Sequence, residues 1–359
     1  MSRFLSEKYK TLEAYVPGEQ PQDKEYIKLN TNESPYPPPE GVLSAITAQE
    51  ISDLRLYPDP DCRLLRSKLA ERYGLKPENI YVSNGSDDIL NFAFMAFAGD
   101  GGKVVFPEIT YGFYPVFAAL NGVEAAEIPL REDFSIEPSD YFNAGGMVVI
   151  ANPNAPTGKA LSLDDISSIL EANRDNVVLI DVAYVDFGAR SALELLDRYE
   201  NLLVVRTFSK SRSMAGARLG FAMAHPALID DLNRIKYSTN PYDINRLTQI
   251  AGAAAIDSDQ YYEGCCKAIV STRERTATEL KKRGFEVVPS VTNFLFIKTE
   301  AVSGSGLYEK LKDRGILIRH FSKEKIRDYN RVTIGTDEEM DIFLQRIDEI
   351  LKEAQNEDR

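Results

Sequence analysis

The sequence predicts a doubly wound α/β domain joined to a smaller α+β unit. Three observations predict it. Short β-branched runs alternate with helical patterns from about residue 60 to residue 240. Several runs, such as Val177-Val178-Leu179-Ile180 and Leu202-Leu203-Val204-Val205, are apolar throughout, as strands are when a mostly parallel sheet is covered on both faces. The chain also has 359 residues, many for a single core, which suggests two lobes.

Taken in order, the expected strands are Asn79–Ser83, Lys103–Phe106, Glu124–Ile128, Met147–Ala151, Val177–Asp181, Leu202–Arg206 and Gly220–Ala224. Helical patterns lie near Asp87–Ala98, Gly112–Leu120, Ser162–Ala172 and Ala227–Lys236, which gives the alternation of a doubly wound sheet. Ser34-Pro35-Tyr36-Pro37-Pro38-Pro39 is extended or turned, because proline removes the helical donor, and leads from an N-terminal arm to the first large-domain helix. A long helical region, Asn245–Arg283, precedes strands at Asn293–Lys298, Ile316–Arg319 and Arg331–Ile334 and a last helix over Asp337–Ala354. The division expected is a large domain over residues 46–250 and a small one built from residues 1–45 and 251–359.

Composition narrows the function classes. The formal charge of −13 disfavours a phosphate backbone or an anionic membrane as partner, and no Lys/Arg run offers a basic patch. A few placed arginines still leave room for a small anionic substrate. Cys62, Cys265 and Cys266 have no metal-ligand spacing and no secreted-type framework, so reduced thiols and a cytoplasmic protein without a metal site are expected. The opening MSRFLSEKYKTLEAYVPG is charged and poor in apolar residues, unlike an export signal. Gly99-Asp100-Gly101-Gly102-Lys103 precedes a strand and lacks phosphate-loop spacing; it reads as a β-turn, which argues against a nucleotide-dependent oxidoreductase or NTPase.

Ligands of open α/β sheets bind beyond the carboxyl ends of the strands. Four polar loops fall there: Asn84-Gly85-Ser86-Asp87-Asp88, Asn152-Pro153-Asn154-Ala155-Pro156-Thr157-Gly158, Asp181-Val182-Ala183-Tyr184 and Thr207-Phe208-Ser209-Lys210. Gly85-Ser86 follows a strand and opens a helix, where free N–H groups bind phosphate. Asp181 ends an apolar strand, and a buried carboxylate there needs a cationic partner such as a ring nitrogen. Lys210 is placed to form an imine with an aldehyde, with Thr207, Ser209 and Arg218 near enough in sequence to hold a phosphate. Each feature alone has an ordinary reading: a helix cap, a strand-end cap, a surface lysine. Their conjunction on one edge points to chemistry.

Ser209-Lys210 followed by Arg218 resembles the cofactor-lysine motif of the class I/II aminotransferases of fold-type I. Asp181-Val182-Ala183-Tyr184 resembles that family's Asp-x-x-Tyr strand, and Asn152–Gly158 its Asn-Pro-x-x-Pro-Thr-Gly loop. The match runs through nearly the whole chain in the family's order. Leu12–Gly18, Lys28–Pro35, Arg55–Asp59 and Arg331–Thr336 further resemble the histidinol-phosphate aminotransferases.

The resemblance implies pyridoxal 5'-phosphate as cofactor and a set of roles. Lys210 forms the covalent imine and shuttles the proton, and Asp181 keeps the pyridine nitrogen protonated. Tyr111 stacks on the ring and Tyr184 bonds its phenolic oxygen. Gly85, Ser86, Asp87, Thr207, Ser209 and Arg218 form the phosphate end, with Tyr57 reaching it from the partner of a homodimer. Tyr15, Asn32, Arg319 and Arg331 bind substrate, Arg331 as a bidentate fork for carboxylate. The implied substrates are histidinol phosphate and the glutamate/2-oxoglutarate pair. This chain departs from the family at Ala155, where an asparagine usually contacts the ring oxygen, so Asn154 or Asn152 becomes the candidate; Val182, often Glu in the family, is expected to be structural. An aromatic aminotransferase and a threonine-phosphate decarboxylase share the cofactor residues and remain alternatives. A non-catalytic module on this scaffold is disfavoured by the retained Lys210.

Overall fold

The computed structural model describes residues 2–99 and 101–357. Its strands, in chain order, are β1 Ile27–Lys28, β2 Ile80–Ser83, β3 Lys103–Pro107, β4 Glu124–Ile128, β5 Met147–Ala151, β6 Val178–Asp181, β7 Leu202–Thr207, β8 Gly220–Ala224, β9 Glu286–Val288, β10 Phe294–Lys298, β11 Ile316–Leu317, β12 Arg319–His320 and β13 Asn330–Thr333. The helices are α1 Glu40–Ala45, α2 Ala48–Ser52, α3 Arg63–Tyr73, α4 Gly85–Ala93, α5 Tyr114–Asn121, α6 Leu163–Ala172, α7 Pro226–Thr239, α8 Arg246–Ile256, α9 Asp259–Lys282, α10 Gly304–Asp313 and α11 Asp337–Glu357.

Seven strands form the large sheet in the order β2-β8-β7-β6-β5-β3-β4. Only β8 runs against its neighbours; the other pairs are parallel. The apolar strands are buried along their length because both faces are covered. Alternate residues serve different cores: Val148, Ile150, Ile180 and Val204 pack on one side, Val149, Leu179, Leu203 and Val205 on the other, as the period-2 geometry of a strand requires. Edge strand β4 carries Glu124 and Glu127, charges that discourage pairing with another chain.

Local chemistry sets the helix ends. Ser162 and Asp165 form a reciprocal capping box at the start of α6, and Asn245 and Ser303 cap α8 and α10, each satisfying amides the helix leaves open. Gly74 and Gly122 end α3 and α5 in the left-handed region. The pattern expected over Asp87–Ala98 begins two residues earlier and ends in a wide turn over Phe94–Ala98, where Gly99 N–H donates to the Phe94 carbonyl at 3.3 Å. Asp100, within the expected Gly99–Lys103 turn, lies outside the described residues.

A four-stranded antiparallel sheet, β12-β13-β10-β9, and the parallel pair β1-β11 build the smaller unit. Its core gathers Leu29, Leu295, Val332 and residues of α9, α10 and α11 such as Ile269, Leu307, Phe343 and Ile347. Two expectations need correction. The single strand Ile316–Arg319 is two, because Ile316–Leu317 pairs with β1 while Arg319–His320 turns to β13. The helical region Asn245–Arg283 breaks at Asp257–Ser258 into α8 and α9. We propose the division into residues 46–250 and residues 1–45 with 251–359. The continuous α8 carries the passage between them, and its Ala251, Ala255 and Ile256 still pack on the large sheet. Among the described residues no helix is long and apolar enough to cross a membrane.

Antiparallel β8 brings its first residue, Gly220, opposite both Ser83 and Thr207, the last residues of β2 and β7. A Cβ on Gly220 would stand 2.5 Å from the Gly85 carbonyl carbon and the Ser86 nitrogen. Those are backbone atoms and have little freedom to yield. Gly220→Ala is therefore expected to cost about 1–3 kcal/mol, as overpacking does, measured by denaturant unfolding; an unchanged midpoint at unchanged slope would show that the turn accommodates a methyl group.

Candidate active site

All the polar loops expected at the sheet edge converge. Ser86, Asp87, Tyr111, Asp181, Tyr184, Thr207, Ser209, Lys210 and Arg218 line one cleft of about 470 Å³. It opens into a second space of about 620 Å³ that shares Asp87, Tyr111, Tyr184, Lys210 and Arg218 and adds Tyr15, Asn32, Arg319 and Arg331.

Lys210 lies three residues past the end of β7, and its Nζ donates to the Thr31 carbonyl at 3.0 Å. The amine sits 5.8 Å from the centre of the Tyr184 ring. Burial, followed by the charge of Arg331, pushes its pKa down to about 8. A neutral amine is the nucleophilic form, so the site holds Lys210 close to readiness at ordinary pH. Asp181 ends β6 and is buried. The Ala183 N–H donates to it at 3.1 Å and the Tyr114 hydroxyl at 3.2 Å. Burial nevertheless pushes its carboxyl up to about 6, because the two donors replace only part of the lost hydration.

The opposite wall is a cradle. Gly85 opens α4 at φ +80°, and a Cβ there would meet the Arg218 guanidinium at 2.7 Å. Arg218 is itself left-handed, φ +52°, and its Nη2 donates to Asp87 at 2.8 Å. The other Asp87 oxygen accepts from the Tyr111 hydroxyl at 2.8 Å, which fixes that ring beside the cleft; burial raises the Tyr111 pKa well above the usual value. Thr207 Oγ1 accepts the Ser209 N–H at 3.1 Å and donates to the Ser209 hydroxyl at 3.0 Å, so the turn leading to Lys210 closes on itself.

Several sequence expectations change. Asn154 is buried, but its amide donates to the Ile109 carbonyl and the Thr157 hydroxyl and accepts from Thr110; it lines a neighbouring cavity instead of the cleft. Asn152 is engaged with the Leu161 backbone. Neither side chain therefore takes the place left by Ala155. Asn32, expected to touch substrate, donates to the Tyr184 hydroxyl at 2.9 Å and accepts from Thr333, so it orients Tyr184. Tyr57 is 77% exposed and stacks on Tyr242 with ring centres 4.5 Å apart, away from its own chain's cleft. Val182 is a core residue, as expected.

Tyr15 stacks on Phe113 at 4.1 Å and leans on Tyr111. Arg319 reaches the Pro17 and Val16 carbonyls at 3.3 Å. Arg331 donates from Nη2 to the Asn30 carbonyl at 2.9 Å, while its buried Nε has no partner among the described residues. Sequence reading missed Tyr114 and Thr31. Tyr114 is the first residue of α5, and its hydroxyl reaches Asp181; nothing in the sequence marks Thr31, which contributes a backbone carbonyl.

This set fits pyridoxal phosphate. Among the described residues the buried Asp181 has no ion-pair partner and the Arg331 Nε no acceptor, the buried Lys210 amine is partly neutralised, and glycine and arginine leave a cup at a helix N-terminus where phosphate binds well. The fold and this edge define a class, and a family model for aminotransferase class I and II matches residues 24–347; the chain belongs to that family. It is 52% identical, over 98% of its length and 100% of the relative's, to the histidinol-phosphate aminotransferase of Brachyspira hyodysenteriae. It is 48% identical, with the same two coverages, to the protein of that name from Clostridium acetobutylicum. A crystal structure of the Sinorhizobium meliloti histidinol-phosphate aminotransferase in complex with pyridoxal-5'-phosphate superposes with TM-score 0.84 at 25% identity, covering 92% of each chain.

The raised Asp181 pKa has a consequence for the cofactor-free protein. The folded carboxyl holds its proton up to about 6, whereas an unfolded one releases it at about 3.9. The contribution is therefore fully present below the unfolded value and is lost as pH rises through about 6. Asp181→Asn should remove that loss, stabilising the cofactor-free protein by on the order of 2 kcal/mol at about pH 7 relative to about pH 4. Denaturant unfolding at the two pH values checks this, and an equal difference from the native protein at both would show that Asp181 titrates as an exposed carboxylate.

Proposed function

We propose that the chain is a pyridoxal-phosphate-dependent transaminase that interconverts histidinol phosphate and 2-oxoglutarate with imidazole-acetol phosphate and glutamate, in histidine biosynthesis. The observation that carries the reading is Lys210 and Asp181 lining one cleft opposite the Gly85–Arg218 cradle. The substrate assignment is supported by the names of the relatives at about half identity over the whole chain and by the arginines of the adjoining space.

Bound pyridoxal phosphate supplies an aldehyde for the imine and a ring that withdraws electrons from the substrate carbon bearing the amine. The protein's residues do the rest. With the cofactor bound, Lys210 Nζ would hold its aldehyde and, as a free amine, would take the proton from the substrate carbon and return it; a pKa of about 8 suits both directions near neutrality. Asp181 would hold the cationic ring nitrogen and keep it protonated, gaining a partner that its carboxylate lacks among the described residues. Tyr184, oriented by Asn32, would donate its hydroxyl to the ring oxygen, the function left open by Ala155. Tyr111, held by Asp87, would cover the ring face. Ser86, Ser209, Arg218 and the Gly85 backbone bind the cofactor phosphate, with Asp87 fixing Arg218 and Thr207 fixing Ser209.

Arg331 and Arg319 meet the anionic end of the substrate, a carboxylate in glutamate and a phosphate in histidinol phosphate. The guanidinium fork matches either, and Tyr15 closes over it from the arm. The exposed Tyr57 completes the phosphate site of a second copy in a homodimer. Exposed apolar neighbours in the same stretch, Leu54, Leu56 and Leu64, support a covered face there. Three free, buried cysteines fit a reducing cytoplasm.

Histidinol phosphate is expected to bleach the imine absorbance of the holoenzyme, and 2-oxoglutarate to restore it. Lys210→Ala should abolish both the absorbance and turnover. Borohydride label found on another lysine would reassign the imine. Arg319→Leu should raise KM for histidinol phosphate about tenfold or more, the scale of a lost charge-assisted hydrogen bond, while altering phenylalanine turnover much less. Equal effects on both substrates would remove Arg319 as a phosphate ligand.

A further inference from the structure

Lys236 in α7 and Asp243 in the loop after it form an ion pair at 3.0 Å with side chains only 4% and 3% exposed. Neither lines the cleft. A buried pair gives no assured gain in stability over an apolar replacement, because both charges lose their hydration. Its value must be sought in what it holds, and it holds two different segments.

The first is the phosphate turn. Asp243 accepts from the Ser83 hydroxyl at 2.6 Å. Ser83 is the fully buried last residue of β2, two positions before Gly85. The second is the stretch that presents Tyr57. Lys236 Nζ donates to the Pro60 carbonyl at 3.0 Å. Neighbours of the pair grip the same stretch: Tyr242 stacks on Tyr57, the Tyr237 hydroxyl donates to Asp61, and Gln249 donates to the Asp59 carbonyl at 2.9 Å. The pair thus sits between the turn that forms a chain's own phosphate cup and the segment that carries the tyrosine offered to the partner's cup.

We propose that Lys236 and Asp243 are positioning residues for the cofactor phosphate, tying the Ser83–Ser86 turn to the Tyr57–Cys62 segment through one buried ionic contact. The inference rests on the pyridoxal-phosphate reading above. Hydrogen bonds from a charged group are short and directional, and a phosphate cup made of backbone amides depends on where the turn stands to within a fraction of an ångström. Through Ser83 the pair holds that turn. Through Pro60 it holds the root of the Tyr57 segment, so the geometry of one subunit's cup and of its contribution to the other share a single anchor.

Ser83→Ala deletes only the link from the pair to the turn and leaves the pair intact; Asp243→Asn removes the pair itself. Cofactor-free Ser83→Ala is expected to bind pyridoxal phosphate about tenfold more weakly in an absorbance titration, the scale of losing one hydrogen bond to a charged acceptor. Its imine absorbance at saturation should equal that of the native protein. Hydrogen exchange at the Gly85 and Ser86 amides of the cofactor-free protein should quicken while the strand interiors stay protected. The double variant should bind no more weakly than Asp243→Asn alone, as expected when both act through one contact. Native-like affinity and exchange in Ser83→Ala would overturn the proposal, even if Asp243→Asn unfolds readily. Failure of the native protein to form the imine would sink the cofactor reading instead, and the exchange measurement would still judge the pair.

Discussion

A sheet buried on both faces sends its polar chemistry to its edges, and everything at this site follows from that constraint. The apolar interiors of β5, β6 and β7 leave no room for an unpaired polar group, so Asp181, Thr207 and the loop after Ala151 emerge together at the carboxyl end. The reversed strand β8 adds its beginning to the same edge, and Gly220 lies against the Gly85–Ser86 backbone with no space for a side chain. That contact sets Arg218, two residues before Gly220, over the start of α4. One steric fact thereby joins the Lys210 end of the cleft to its Gly85–Arg218 end.

Electrostatics at the edge are unfinished business for the protein alone. Asp181 is held in an environment that favours its neutral form, and Lys210 in one that disfavours its charge. Both shifts arise first from burial, which penalises whichever state is charged. A ligand with a cationic ring nitrogen, an aldehyde and a phosphate relieves each of these at once. Incomplete solvation of these groups favours a ligand that supplies the missing partners, and Arg319 and Arg331 add positive charge to the adjoining space.

Supporting residues behave as a frame around those groups. Asn32 holds Tyr184, Asp87 holds both Tyr111 and Arg218, and Thr207 holds Ser209. Each carries a hydrogen bond that would otherwise leave a reactive group free to rotate. The arm is also part of the frame: Tyr15 packs on Phe113, and Arg319 reaches the Val16 and Pro17 carbonyls, so the wall of the adjoining space is assembled from residues far apart in the chain.

The sheet, its mostly parallel character and the edge at which Lys210, Asp181 and Arg218 meet in one cleft were legible in the amino-acid pattern, because apolar runs and strand-end positions are local properties. Tertiary structure alone decided which side chains turn into the cleft. Asn154 looked available but is consumed by Ile109, Thr157 and Thr110. Thr31 offers a carbonyl that no side-chain pattern announces, and Lys236 and Asp243 meet only when the loop after α7 folds back on β2. Those outcomes depend on competition among partners brought together from distant segments, and a linear pattern of residue types carries no record of which partner is nearer.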